Sequence, residues 1–193
     1  MRVACILPIA ETHLAFRPLA LASIARQILP AGIELATYED VNTGPTGAAR
    51  NRCCQRAIDD GCEVAINVDV DDPLVGTDSF AKRIAVMLAN PAAQVCGTSL
   101  YYSLDLLTGK SVEQTSKRIR ESSMCFRLRA WQLCQCPNTS VGECSQFLAN
   151  YVKTDCRHER PRDGDLRASS AVDHGVALAI CWPQLRGRNR QGA

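Results

Sequence analysis

Three carboxylates follow a largely apolar run in this chain. Residues 64–68, Val-Ala-Ile-Asn-Val, lead into Asp69, Asp71 and Asp72, with Pro73 immediately after. Asp and Pro are turn formers, so a solvated turn is one reading. The other is that the carboxylates gather around something cationic. Two Asp side chains one residue apart at a strand end can point to the same side once the backbone turns. They then offer hard oxygen ligands to Mg²⁺ or Mn²⁺. Such an ion typically bridges a few carboxylates to the phosphates of a ligand, and it neutralises charge that develops on a departing diphosphate.

The elements that must position these residues are legible as alternating patterns. Residues 2–9 are a β-rich run suited to a buried strand. Residues 14–28 carry Leu14, Leu21, Ile24 and Ile28 at roughly helical spacing, stopped by Pro30 and Gly32. The reading continues with a second strand over 33–41, a non-helical loop over 42–47, and a helix over 48–61 closed by Gly61. A third strand covers 62–70. A helix spans 78–90, capped by Asp78 and stopped by Pro91. Residues 92–105 are expected to return as strand and 106–111 to form a hairpin turn. The stretch 122–135 reads as strand running into helix, 140–153 as helix, and 172–182 as a last strand. Strands alternating with helices argue for an α/β fold with a largely parallel sheet. Ligands in such sheets bind beyond the carboxyl ends of the strands, where Asp69 and Asp71 fall.

At 193 residues, 46% hydrophobic and 22% charged, the chain suits one globular domain. The expected division is a single domain over 1–183 and a basic, disordered tail over 184–193. A net charge of +2 selects no class of partner. No apolar run reaches the roughly 20 residues of a membrane span. Eleven cysteines is an odd number, and Cys5, Cys62, Cys96 and Cys181 lie inside apolar segments. They read as free thiols in a reducing, cytoplasmic compartment. Cys134, Cys136, Cys144, Cys156 and His158 lie close in sequence, but their spacing departs from the paired knuckles of structural zinc sites.

A first strand ends near Pro8 and is followed by "SIARQ" at 23–27, "YED" at 38–40, "GPTGAARN" at 44–51 and "VDVDD" at 68–72. Further on come "SSMCFRLRAW" at 122–131 and "VGEC" at 141–144. In this order the parts resemble the GT-A glycosyltransferases of the family 2 type. The resemblance covers about residues 2 to 153. It implies a three-layer α/β/α fold with a mostly parallel sheet. The variant is a compact one, because the segment between "YED" and "AARN" is short. It also implies transfer of a sugar from a nucleotide-sugar to an acceptor hydroxyl, dependent on Mn²⁺ or Mg²⁺. On that pattern Pro8, Glu39, Asp40, Arg50, Asn51, Asp69 and Asp71 contact the donor, with Glu39 and Asp40 at its base. Asp71, with Asp69, holds the metal. Glu143 is the candidate general base, although Cys144 stands where the family carries a second carboxylate.

Each of these residues also has a plainer reading. Glu143 suits the start of a helix, where the dipole favours an acid. Arg50 and Asn51 could be solvent-facing helix residues, and Glu39 and Asp40 loop acids. His174 is a candidate to complete the metal sphere, yet a lone His near a strand also serves structurally. His13 reads as a surface or loop residue. Arginine-rich stretches at 157–167 and 184–193 support a second function class, a nucleotide- or nucleic-acid-binding module. Against it, aromatic residues make up only 5% of the chain. A third reading is an inactive GT-A-like domain. The acceptor stays open among a glycan, a lipid-linked glycan and a modified nucleic acid.

Overall fold

Successive residues of a strand point to opposite faces of its sheet, so a strand apolar at nearly every position must be covered on both faces. β1 (Arg2–Ala10) is such a strand: Val3, Ala4, Cys5, Ile6, Leu7 and Ile9 have no exposed surface. The computed structural model describes residues 1–74, 76–98, 100–104, 110–115 and 121–139, together with Cys144, Gln146, Phe147, Ala149 and Asn150. Within them β1 pairs in parallel with β2 (Glu34–Asn42) on one side and with β3 (Val64–Asn67) on the other. β4 (Val95–Cys96) lies at the far edge, and the hairpin β5 (Leu100–Leu104) and β6 (Ser111–Thr115) forms a separate two-stranded sheet. β7 (Cys125–Arg127) inserts antiparallel between β3 and β4. The main sheet therefore runs β2-β1-β3-β7-β4, with only β7 reversed and β3 at the centre.

Helices cover both faces. α1 (Arg17–Ala25) and α3 (Ser79–Ala89) share one apolar cluster with Val3, Cys5, Leu7 and Ile9 of β1. In α3 the buried Phe80, Ile84 and Met87 repeat at helical spacing. α2 (Thr46–Asp59) and α4 (Leu128–Leu133) share the other cluster with Ala4 and Ile6. The buried face of α2 is built from small residues, Ala49, Cys53, Cys54 and Ala57, so the helix lies close to the sheet. Gly61 adopts a φ of 76°, and the Cys62 N–H bonds the Ala57 carbonyl behind it, which ends α2 as expected.

Several boundaries differ from the sequence reading. The third strand stops at Asn67, because Val68 and the acids beyond it turn away at the sheet's end. Residues 92–105 do not form one strand: β4 and β5 belong to different sheets. Asp78 occupies the N-cap position of α3 but makes no capping bond; its carboxylate pairs with Lys82 at 2.8 Å, which holds its pKa below the ordinary value. The loop expected over 42–47 is helical from Thr46. Gly47 is there for proximity, since a Cβ at that position would lie 1.9 Å from the Pro137 carbonyl oxygen. Strand 125–127 running into helix 128–133 agrees with the expectation. The expected strand over 172–182 and the domain boundary at 183 lie outside the described residues.

Candidate active site

Because β1, β2 and β3 are parallel, their carboxyl ends open on one edge of the sheet, and the polar residues of the candidate site collect there. Pro8 fits β1 for a specific reason. The Arg2 and Ile6 carbonyls accept bonds from Glu63 and Val68, so the even residues of β1 face β3. β3 pairs only as far as Ile6, so the missing N–H of Pro8 costs no ladder bond.

The acidic turn is pinned from behind by the "SIARQ" residues. Ser23 accepts the Leu74 N–H at 3.2 Å. Gln27 accepts the Phe80 N–H at 3.1 Å and donates to the Gly76 carbonyl at 2.6 Å. Ser23 and Gln27 are buried, so the last turn of α1 and the residues just after it fix both ends of residues 74–80. The turn itself closes with a bond from the Asp72 N–H to the Asp69 carbonyl at 3.1 Å. Asp72 accepts a hydrogen bond from Ser122, in the 3₁₀ turn Glu121–Ser123 just before β7.

Arg50 and Asp69 meet at this edge. The Arg50 guanidinium, 2% exposed, donates to Asp69 Oδ1 at 2.5 Å, and Asp69 keeps 30% of its side chain in contact with solvent. Asp71 faces outward and has His13 Nδ1 3.6 Å from its Oδ2. Among the described residues, no three His, Cys, Asp or Glu side chains form a metal-holding group. A cation at Asp69 and Asp71 would therefore take most of its ligands from water or a bound molecule, which matches how Mg²⁺ and Mn²⁺ are commonly held. The donor set, carboxylate oxygen with solvent access, fits such an ion.

At the end of β2, Glu39 accepts a forked pair of bonds from Arg17 at 2.6 and 3.1 Å. Asp40 accepts a second fork from Arg52, both bonds 2.8 Å. These carboxylates raise the pKa of both guanidinium groups, chiefly through the hydrogen bonds. Asn51 points away from this edge. Its amide donates to the Cys136 carbonyl at 2.8 Å, and its oxygen accepts from the Trp131 indole at 2.8 Å and the Cys136 N–H at 3.0 Å. That side chain ties α2 to the segment after α4.

The same segment closes the start of α2. The Gly47 N–H donates to the Thr139 carbonyl at 3.0 Å, so one of the helix's first donors is already used. Beside it lies an open cleft of about 460 Å³, lined by Glu11, Asn42, Gly44, Pro45, Arg52 and Asn138 among others. Asp69 and Asp71 do not line it.

Glu143, His158 and His174 lie outside the described residues, as do the arginine-rich stretches. His13, Arg17, Arg52 and Ser122 were not singled out from the sequence. Their partners are 12 to 58 positions away, and only the charge complement of "YED" and nearby arginines hinted at any of them. Nine of the eleven cysteines are described, and all nine are free thiols. No helix among the described residues is long and apolar enough to cross a membrane.

No family model and no curated protein matches the sequence. Among solved structures, the fold is similar to that of TarS from S. aureus. TarS residues 1–349 in complex with UDP match at a TM-score of 0.53 and 16% identity, over 79% of this chain and 55% of that one. A second crystal structure of TarS matches at a TM-score of 0.54 and 16% identity, over 79% and 34%. This chain thus spans about half of the first and a third of the second. At that identity the likeness is one of fold, a mixed α/β domain with a mostly parallel sheet.

Proposed function

We propose that this protein transfers a sugar from a nucleotide-sugar to an acceptor hydroxyl, with a divalent cation held at the end of β3. The observation that carries the reading is the charge at residues 69–72. Three carboxylates meet one guanidinium, one imidazole and one hydroxyl among the described residues. A cation with a diphosphate would complete that arrangement. A protein of the same fold, TarS, was solved with UDP bound.

In this reading Asp71 is the direct ligand and Asp69, oriented by Arg50, supports it. Mn²⁺ or Mg²⁺ held by these carboxylates would supply positive charge to the leaving diphosphate. Arg50 holds Asp69 in place from a buried position. Glu39 and Asp40 each accept two guanidinium bonds and retain lone pairs for a nucleobase. Glu143 takes the proton of the acceptor hydroxyl as it attacks the anomeric carbon. His174 remains a candidate ligand on sequence grounds.

A thermal-shift series with UDP, GDP, CDP and dTDP, with and without Mn²⁺, tests the reading. A diphosphate present at a hundred times its dissociation constant adds about 2.7 kcal/mol of stability. In a chain of this length that raises Tm by about 5–10 °C. No shift with any nucleotide in either condition contradicts the proposal. With an acceptor in hand, Glu143→Gln should lower turnover and leave donor binding unchanged.

A further inference from the structure

His13 stands in the 3₁₀ turn Glu11–Phe16 that follows β1, at the same sheet edge as the acidic turn. Its ring meets Phe16 edge-on, with centroids 6.2 Å apart and planes at 89°, which restricts how it can tilt. Its Nδ1 lies 3.6 Å from Asp71 Oδ2. That separation is too long for a good hydrogen bond, although it lies within ion-pair distance when the imidazole carries a proton.

The separation does suit two ligands of one ion. Metal–nitrogen and metal–oxygen bonds of about 2.0–2.2 Å place two ligand atoms about 3 Å apart at a right angle, and about 3.4 Å apart at a tetrahedral angle. A shift of a few tenths of an ångström brings His13 and Asp71 into that range. Both side chains are about half exposed, 46% and 47%, so each can move and an ion can enter from solvent. No other described Asp, Glu, Cys or His joins them in a metal-holding group, so the remaining positions fall to water or a bound molecule.

We infer that His13 and Asp71 together form the protein's half of a cation site, and that His13 makes the site selective for a transition-metal dication over Mg²⁺. Imidazole nitrogen suits the later first-row dications best and Mn²⁺ less, whereas Mg²⁺ prefers an all-oxygen shell. A carboxylate alone would accept either ion. The inference rests on the proposed reading for why a cation is held there, but it concerns a different residue and a different property.

The test is metal binding by the full chain, without substrate. Free Mn²⁺ is followed by electron paramagnetic resonance, Mg²⁺ by its competition with Mn²⁺, and nitrogen coordination by pulsed resonance of the bound Mn²⁺. The wild type should bind Mn²⁺ more tightly than Mg²⁺ and show coupling to one imidazole nitrogen. His13→Ala should weaken Mn²⁺ about tenfold, abolish the nitrogen coupling and leave Mg²⁺ nearly unchanged. Asp71→Asn should weaken both ions. The inference is overturned if bound Mn²⁺ shows no nitrogen coupling, or if His13→Ala binds Mn²⁺ as wild type does. Equal loss of Mn²⁺ and Mg²⁺ in that variant overturns it as well. A wild type that holds Mn²⁺ through His13 but adds no nucleoside diphosphate supports the metal site and removes the transferase reading. UDP binding that needs Mn²⁺ and Asp71 but ignores His13 does the reverse.

Discussion

The carboxyl ends of β2 and β3 lie at one sheet edge and are both acidic, yet they handle their charge differently. At β2, Glu39 and Asp40 are matched by two guanidinium forks, from Arg17 and Arg52. At β3, Asp69 alone pairs with a guanidinium, Asp71 and Asp72 face an imidazole and a hydroxyl, and the buried Arg83 guanidinium acts on Asp72 only through space. Carboxylates kept close together repel one another and favour whatever cation arrives. The first end is balanced by the protein's own side chains. The second leaves negative charge that a bound ion can neutralise. Acidity in the sequence therefore marks an edge, and pairing in the structure separates acids whose charge is already matched from those left to attract a cation.

The largest effect is expected where the edge is anchored. Asn51→Ala strips partners from the Trp131 indole, the Cys136 N–H and the Cys136 carbonyl, each buried donor or acceptor costing about 1–3 kcal/mol when orphaned. Denaturant unfolding should show a loss of about 3 kcal/mol or more. A loss below about 1 kcal/mol would mean that this clamp does not hold α2 against the segment after α4.

Next comes the contrast between the two sets of ion pairs. Arg50 is buried, so Arg50→Met leaves Asp69 without its cation and should cost about 2–3 kcal/mol, less than a fully buried pair because Asp69 is partly solvated. Arg52 is mostly exposed, and Arg52→Ala should change stability by about 0.5 kcal/mol or less. Equal effects in the two variants would erase the difference drawn between β2 and β3.

A smaller and more gradual effect is expected on the alkaline side. Burial pushes the Cys5 thiol up to about 12 and the Cys53 thiol up to about 11, and raises Cys54 and Cys125 as well. Unfolded thiols lose their protons near pH 8.5–9, so the unfolded chain releases protons that the folded chain keeps. The stability these thiols contribute is fully present below that range and is lost as pH rises toward 11–12. Urea midpoints should stay level from pH 7 to about 8.5 and then fall, whereas Cys5→Ser should flatten part of the decline. A midpoint independent of pH up to about 11 would show that these thiols titrate alike in both states.

How much of this was legible follows from the range of the interactions. The alternation of β1, α1, β2, α2, β3 and α3 is a local pattern of apolar spacing, and it appears in the structure nearly where it was read. So does β7 running into α4. The loop read over 42–47 ran two residues too far, because Gly47 serves inside the first turn of α2, where it admits a neighbouring backbone. Residues 92–105 misled because nothing in their composition separates two short strands of different sheets from one long strand. At the site, Arg50 and Asp69 were both read as donor contacts, and their pairing with each other appears only in the structure. Asn51, expected at the donor, instead bonds to Trp131 and Cys136. His13, Arg17, Arg52 and Ser122 could not be assigned, because each acquires its partner only when strands distant in sequence bring their ends together.

The most direct test of the central claim is calorimetric titration of UDP into wild type and Asp71→Asn, each with and without Mn²⁺. Asp71→Asn keeps the shape of the side chain and removes its charge, and an exposed turn residue contributes little to the core, so Tm should hold. Wild type should bind UDP in Mn²⁺ and lose most of that affinity when the metal is chelated. The variant should bind at least about tenfold more weakly in Mn²⁺ and gain nothing from the ion. If Asp71→Asn binds UDP in Mn²⁺ as tightly as wild type, the acidic end of β3 does not hold the cation and the account fails.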